Sequence, residues 1–280
     1  MSIDIAWFAT GRSEGSRRLL ARAFEATQSG EIDGRIAVVF CNREPGEHPE
    51  TDRFFDLVRS YGLPLVTYSS ERFTRRWTGP PRQKAPDDPW RLAYDREIAA
   101  LIEPYAFDIG LLAGYMLVFA HQFVERYPLL NLHPALPDGP VGTWQQVIWQ
   151  LVAQGANESG VMIQQATADL DRGPSVSYCR YTIRGGPFNA AWKEIAGRPV
   201  SRLRRTEGEN LRLFRLIRFH GFSRESPLII ATLRAFGEGR LRFAGQRVVD
   251  SEGRPTAPLD LTEAIDAAVA ETLHREAPAL

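Results

Sequence analysis

Short apolar runs alternate with amphipathic stretches along the first part of the chain. Residues 3–10, 35–41 and 65–68 are short, predominantly apolar runs of the kind that form buried strands. Between them, residues 17–27 and 51–61 carry apolar side chains at the spacing of one helical face. This alternation predicts an α/β fold with a doubly wound, mostly parallel sheet of the Rossmann-like type.

The same pattern predicts the later elements. Strands are predicted over residues 108–114, 129–133, 161–166, 176–183 and 241–248; helices over 90–102, 144–154, 211–219, 228–236 and 257–274; a turn over 11–16; and irregular chain over 70–90 and 184–208. Because the regular alternation ends near residue 183, we expect one domain over residues 1–183. A C-terminal α/β extension over residues 184–280 should pack on it.

Composition and charge limit the classes of function. Hydrophobic residues make up 44% of the 280 positions, which is enough for a sizeable core. The 34 Lys and Arg residues balance 34 Asp and Glu residues, so the chain has no overall field that would recruit nucleic acid or an anionic membrane. Any anionic ligand must therefore be held by a local pocket.

Two cysteines and the absence of targeting signals bear on the compartment. Cys41 and Cys179 lie far apart within apolar runs, which favours buried free thiols in a reducing environment over a disulfide. The amino-terminal residues do not have the pattern of a signal peptide, and no apolar run approaches the roughly twenty residues of a membrane span. We expect a cytoplasmic protein.

The candidate chemistry centres on Asn131, His133 and Asp171. The first two are two positions apart at the end of an apolar run, so strand periodicity directs both side chains to one face. Pro134 disfavours helical backbone at His133 and keeps the pair extended. An amide, an imidazole and a carboxylate together can hold a developing oxyanion and move protons during acyl transfer.

A second candidate site is the first strand-to-helix connection, "TGRSEGSRR" over residues 10–18. Backbone amides at the start of a helix, together with the helix dipole, favour an anion such as phosphate. Arg12, Arg17 and Arg18 add local positive charge.

Four segments in register resemble the folate-dependent formyltransferases. They are "AYDRE" at 93–97, "YAFDIGLLAGYM" at 105–116, "NLHPALP" at 131–137 and "DLDRGP" at 169–174. Their order and spacing are most similar to the formyltransferases that act on glycinamide ribonucleotide. The similarity runs from Ile3 to about Ile183, with a weaker match near residues 227–241.

The resemblance implies roles for particular residues. Asn131 and His133 would stabilise the oxyanion, and Asp171 would hold the imidazole charge and orient a proton relay. The co-substrate 10-formyltetrahydrofolate would be bound by Met116, Leu117, Val118, Phe119, Asp169 and Leu170. The substrate phosphate would be bound by Gly11, Gly15, Ser16, Arg17 and Arg91. No metal is expected.

Three positions depart from the pattern of the family. Arg17 stands where the first loop usually has asparagine, in a loop that is about two residues longer. Leu117 replaces an arginine common in the folate-facing segment. Trp144 stands where the enzymes that act on glycinamide ribonucleotide usually have histidine.

The expected function is formyl transfer from 10-formyltetrahydrofolate to glycinamide ribonucleotide in purine biosynthesis. The alternatives are a formyltransferase for another amine such as a nucleotide-linked amino sugar, a 10-formyltetrahydrofolate hydrolase, and a non-catalytic folate or nucleotide binding module. The hydrolases generally carry an additional N-terminal regulatory domain, whereas this chain begins at the catalytic strand. The neutral charge argues against a tRNA substrate. We expect small-molecule partners and leave a homodimer open.

Overall fold

The structure is a computed structural model that describes residues 2–275. The chain forms two compact units. The first contains the described residues up to Leu132, together with Gln164–Pro174 and Thr232–Ala257. The second contains His133–Ile163, Ser175–Ala231 and the described residues from Pro258 onward.

Strands and helices alternate through most of the sequence. The strands are β1 (Ile3–Ala9), β2 (Gly34–Cys41), β3 (Leu65–Thr67), β4 (Ile109–Leu112), β5 (Leu129–His133), β6 (Glu158–Gln165), β7 (Ser175–Thr182), β8 (Leu241–Ala244), β9 (Arg247–Asp250) and β10 (Leu259–Asp260). The helices are α1 (Glu14–Gln28), α2 (Pro49–Ser60), α3 (Ser70–Arg76), α4 (Pro89–Ile102), α5 (His121–Arg126), α6 (Trp144–Gln154), α7 (Gly186–Ile195), α8 (Val200–Thr206), α9 (Arg212–Gly237) and α10 (Thr262–Arg275), with a 3-10 turn at Gly208–Asn210.

The main sheet has eight strands in the order β10-β7-β6-β5-β4-β1-β2-β3. In the part of the sheet with the order β5-β4-β1-β2-β3, each strand pairs in parallel with its neighbour. Strand β10 pairs in parallel with β7. Strands β8 and β9 form a separate antiparallel hairpin. The predicted doubly wound, mostly parallel α/β fold is confirmed.

The first unit is built on strands that are apolar on both faces. Strand β4 is buried along its whole length, and the side chains of β1 are buried from Ile5 to Ala9. Phe8 lies at the centre of an aromatic cluster, with ring centroids 5.7 Å from Phe40 and 5.7 Å from Phe119. Continuous apolar strands of this kind are what a parallel sheet covered on both faces requires.

The second unit has its own core. Helix α6 contributes Val147 and Leu151, α7 contributes Phe188, and α9 contributes Phe214 and Ile217, all of them buried. Helix α6 begins with a capping box in which Thr143 and Gln146 satisfy each other's backbone amides.

The structure corrects the prediction of irregular chain over residues 70–90. Helix α3 lies within that range, begins after the N-cap Ser69 and packs Phe73 against Tyr94 with ring centroids 5.3 Å apart. The proline-rich composition of the range describes only the chain that follows Arg76. Helix α5 was also not predicted, because six residues carry too little periodicity to be recognised.

The C-terminal part contains more regular structure than predicted. Residues 184–208 hold helices α7 and α8, and the strand predicted over 241–248 is the β8–β9 hairpin. The two helices predicted over 211–219 and 228–236 are the single helix α9, which continues through Pro227. Apolar side chains on both sides of the proline are buried, and this packing outweighs the lost hydrogen bond.

The state of the two cysteines and the character of the helices bear on the sequence predictions. Cys41 and Cys179 are free and buried, as predicted. Among residues 2–275, no helix has both the length and the apolar character needed to cross a membrane.

Replacing Phe8 by alanine should lower the free energy of unfolding by about 3–5 kcal/mol, because the cavity would open at the centre of the aromatic cluster. Denaturant unfolding followed by fluorescence measures this change. Phe24→Ala is the matched control, since the ring of Phe24 is only partly buried and stacks on Tyr61 alone. Equal losses in the two variants would contradict the central position of Phe8.

Candidate active site

The structure brings Asn131 and Asp171 together within the first unit. Asn131 lies near the carboxyl end of β5, and its Nδ2 donates to Asp171 Oδ1 at 3.4 Å. The distance is long for a hydrogen bond, which is common for catalytic contacts before substrate binds. The predicted amide and carboxylate are therefore neighbours although they are separated by forty positions in the chain.

Asp171 is held in a closed loop that follows β6. The Gln165 amide donates to Pro174 O at 2.8 Å, which closes the base of the loop, and the Ala166 amide donates to Leu129 O at 2.8 Å. Asp171 has a φ of 54°, in the left-handed region that few residues other than glycine adopt. Aspartate tolerates this conformation better than most side chains do, and such strain often marks functional positions.

Gly173 allows this loop to close. A Cβ built at Gly173 would lie 1.7 Å from the backbone oxygen of Gln165. No side chain fits there unless the backbone moves. The glycine after Arg172 is thus required by close packing of the chain that carries Asp171.

Sequence reasoning missed Gln164. Its side chain is buried, and Nε2 donates to Asp171 Oδ1 at 3.4 Å, the same oxygen that Asn131 approaches. Its Oε1 is buried without a hydrogen-bond partner among the described residues. The only signal in the sequence was a polar residue directly after the apolar run Val161–Ile163.

His133 is the last residue of β5 and is buried in the second unit. Its Nε2 lies 2.9 Å from Pro140 O. A carbonyl oxygen only accepts, so in this geometry Nε2 carries the proton and donates. The contact orients the ring through the loop that follows Pro134.

The first connection ends in a capped helix rather than in the predicted turn over 11–16. Helix α1 begins at Glu14, and Ser13 Oγ accepts the Ser16 amide at 3.2 Å. Gly15 and Ser16 therefore lie in the first helical turn, and Gly11 lies before the cap. This arrangement presents helical amides and the positive end of the dipole at the carboxyl end of β1.

The first loop and the predicted folate-facing segment contact each other. The Thr10 amide donates to Gly114 O at 3.1 Å, and the Met116 amide donates to Thr10 Oγ1 at 3.0 Å. Both segments follow neighbouring parallel strands, β1 and β4. The predicted phosphate and folate regions are thus adjacent at the carboxyl edge of the sheet.

The two arginines predicted to bind phosphate make contacts elsewhere. Arg17 forms an ion pair with Glu50 of α2, and the arginine lowers the pKa of that carboxylate. Arg91 Nη1 donates to Ala85 O at 3.2 Å and to Pro86 O at 3.3 Å. Their roles toward phosphate remain predictions.

The predicted folate-binding residues differ in exposure. Met116 and Leu170 are 58% and 56% exposed, unusually high for large apolar side chains, and Asp169 is also exposed. Val118 is partly buried, whereas the Phe119 ring is buried and stacks on Phe123 with centroids 4.0 Å apart. Phe119 therefore holds the segment against the core, and this packing does not favour a contact between its side chain and a ligand.

Two of the three substitutions that depart from the family pattern, Leu117 and Trp144, have packing partners in the core. Leu117 packs partly against the aromatic core of the first unit. Trp144 is the first residue of α6, with its ring 5.7 Å from that of Phe214 and the Arg218 guanidinium 4.5 Å above it. Each replacement is accommodated in its own unit.

Among residues 2–275, no group of three or more His, Cys, Asp or Glu side chains is arranged to hold a metal ion.

Comparison with known proteins identifies the family of the chain. The family model for formyl transferase matches residues 5–184. The chain belongs to the formyl transferase family and is a folate-dependent enzyme of that class.

Curated relatives include two kinds of enzyme. The phosphoribosylglycinamide formyltransferase of Escherichia coli (strain K12) is 28% identical over 177 residues, which cover 61% of this chain and 71% of that protein. The formyltetrahydrofolate deformylase of Haemophilus influenzae is 28% identical over 180 residues, which cover 62% of this chain but only 53% of the deformylase.

Solved structures support the fold. The phosphoribosylglycinamide formyltransferase of Coxiella burnetii has a TM-score of 0.63 and 20% identity, covering 92% of this chain and 97% of that one. Glycinamide ribonucleotide transformylase 1 of Symbiobacterium toebii has a TM-score of 0.61 and 22% identity, covering 89% and 94%.

Gly173→Ala should reduce turnover by about a hundredfold, because the added methyl group forces the Asp171 loop to move by the order of an ångström. Steady-state kinetics measures the effect. Gly30→Ala is the control for a glycine substitution without a steric clash, because a Cβ at Gly30 would meet nothing within 4 Å. A Gly173→Ala enzyme with unchanged turnover would show that the loop position is irrelevant to catalysis.

Proposed function

We propose that this protein transfers the formyl group of 10-formyltetrahydrofolate to the amine of glycinamide ribonucleotide, a reaction of purine biosynthesis. The proposal depends on one observation, the hydrogen bond between Asn131 and Asp171. Asn131 lies on β5, the strand that ends at His133. The similarity to phosphoribosylglycinamide formyltransferases supports the choice of acceptor.

The reaction needs a donor to the oxyanion, and Asn131 supplies one. The substrate amine attacks the formyl carbon, a carbon–nitrogen bond forms, and the carbonyl oxygen becomes negative. An asparagine amide has two N–H groups; one donates to Asp171, which leaves the other for the oxyanion. His133 supplies a further donor when its imidazole is protonated, because both ring nitrogens then carry hydrogen.

Asp171 completes the proton transfer. Collapse of the tetrahedral intermediate breaks the bond between the formyl carbon and N10 of the folate. The proton lost by the amine must reach N10, and a carboxylate that orients a water molecule provides the path. Gln164 of β6 donates to the same carboxylate oxygen and helps to orient it.

Substrate binding is proposed on both sides of Thr10. The backbone between Met116 and Phe119 and the chain from Asp169 to Asp171 would hold the folate, with the exposed Met116 and Leu170 covering it. The amino end of α1 would hold the acceptor phosphate. The partners are small molecules in the cytoplasm, and residues 1–183 constitute the catalytic domain with 184–280 as the extension.

The second candidate is hydrolysis of 10-formyltetrahydrofolate, which the similarity to formyltetrahydrofolate deformylases supports. Water then replaces the amine as the nucleophile, with the same oxyanion donors. Incubation with 10-formyltetrahydrofolate and a panel of amines separates the two. Formation of formyl glycinamide ribonucleotide supports the proposal, and release of formate without an amine supports hydrolysis. Formylation of an amino sugar would show that this amine, and not glycinamide ribonucleotide, is the acceptor. An absence of any conversion would contradict catalysis.

Asn131→Ala should lower turnover by about 10²- to 10³-fold with little change in folate affinity, because an oxyanion donor is lost. Turnover and folate affinity are measured by steady-state kinetics and calorimetry. Asn210→Ala, at an exposed asparagine in the 3-10 turn, is the matched control and should retain full activity. Full turnover by folded Asn131→Ala enzyme would remove this residue from the mechanism.

Gly15→Asp should raise the acceptor KM at least about tenfold, because a carboxylate in the first turn of α1 would repel the phosphate. Inorganic phosphate should compete with the acceptor and not with the folate. Gly30→Asp adds the same charge after the other end of α1 and should leave the KM unchanged. If both variants behave alike, the acceptor phosphate does not bind at α1.

A further inference from the structure

The folate segment, defined as residues 113–120 between β4 and α5, has no helix or strand of its own. Its beginning is fixed by the sheet, because the Ala113 amide donates to Phe8 O at 3.0 Å. The Met116 amide then donates to Thr10 Oγ1 at 3.0 Å. These bonds leave the far end of the segment to be held by other groups.

Two carboxylates hold that far end. The Ala120 amide donates to Asp95 Oδ2 at 2.6 Å, and the His121 amide donates to Asp87 Oδ1 at 3.1 Å. Nδ1 of His121 lies 2.8 Å from the other oxygen of Asp87. Helix α5 is too short to order its own start, and neither amide has a capping side chain from α5 itself.

Asp95 differs from Asp87 in burial. Asp95 is 5% exposed on the inner side of α4, whereas the side chain of Asp87 is half exposed. Placing a carboxylate in an apolar interior is unfavourable unless a strong partner compensates. The short bond to the Ala120 amide is the compensating contact, so the carboxylate and the end of the folate segment depend on each other.

The groups around Asp95 leave its charge sensitive to pH near neutrality. Burial raises the pKa of Asp95 to about 7, opposed by the Ala120 amide and by Arg91 on α4. Tyr94 on α4 and Tyr115 in the folate segment have pKa values raised by burial, and the thiol of Cys41 on β2 has a pKa raised to about 12; all three stay neutral in this range.

The ionised carboxylate is the stronger acceptor for the amide, although its ionisation opposes folding. Because the pKa of Asp95 is raised in the folded protein, folding favours the protonated carboxyl. The contribution of Asp95 to the free energy of unfolding is therefore highest below about pH 4 and falls as pH rises to about 7.

We propose that Asp95 is a positioning residue that holds the folate segment in its binding conformation through the amide of Ala120, with Asp87 and His121 as a weaker second clamp. This inference rests on the proposed function, since it assigns a ligand to residues 116–119. It predicts that folate affinity depends on a carboxylate whose side chain is buried and makes no contact with the ligand.

The test measures binding of 5-formyltetrahydrofolate by calorimetry from pH 6 to pH 8. Asp95→Ala should weaken binding at pH 8 by about tenfold or more, the effect expected when a charge-assisted hydrogen bond is lost. Asp95→Asn keeps an acceptor oxygen but not the charge, so its affinity at pH 8 should lie between those of the unmodified protein and Asp95→Ala. In the unmodified protein the Kd should fall as pH rises through about 7, relative to Asp95→Asn, which keeps every other titratable group of the protein and lacks only that of Asp95.

Asp88→Asn is the matched control. Asp88 is also a buried carboxylate at α4 that accepts a backbone amide, but its donor is Gln83, outside the folate segment. Asp88→Asn should lower stability without changing folate affinity. Asp87→Ala, at the exposed clamp, should weaken binding by a few-fold and keeps the test decisive if Asp95→Ala does not fold.

The outcomes separate this inference from the proposed function. If the unmodified protein binds no folate and forms no product, the proposed function fails. If the unmodified protein binds folate but folded Asp95→Ala or Asp87→Ala binds it equally well, the positioning role is overturned. A Kd profile with the same pH dependence in Asp95→Asn as in the unmodified protein would also overturn it.

Discussion

The register of the parallel strands β1, β4 and β5 is the constraint on which the candidate site of the first unit depends. Phe8 pairs with Leu112, and Leu112 pairs with Asn131, so one row across these three strands leads to the Asn131 amide. A slip by one residue would turn Asn131 to the other face and bury a polar amide in the core.

The same register determines how the loops meet. Residues that follow parallel neighbours emerge at one edge of the sheet, which is why Thr10 after β1 lies within hydrogen-bond reach of Gly114 and Met116 after β4. The loops are therefore not independent ligand-binding elements. A change in the phosphate region of the first loop is coupled through Thr10 to the segment assigned to the folate.

Polar groups in this unit stay buried where they position chain segments. Asp95 loses solvation to hold Ala120, and Gln164 is buried in β6 to reach Asp171. Asp171 itself is held at a positive φ by a loop that closes only because Gly173 has no side chain. These positions reduce stability in exchange for a defined geometry, a pattern common at functional sites.

The sequence by itself determined the alternating α/β order, the mostly parallel sheet and the helix at Trp144–Gln154, and its motifs made Asn131, His133 and Asp171 the candidate site residues. These features depend on periodicity and on local motifs, which are written in consecutive residues. Only the tertiary structure decided that Asn131 meets Asp171, that Gln164 joins them, that α9 continues through Pro227 and that Asp95 binds the Ala120 amide. Each of these is decided by packing between distant segments, which can outweigh local preference and is not encoded in any short stretch of the chain.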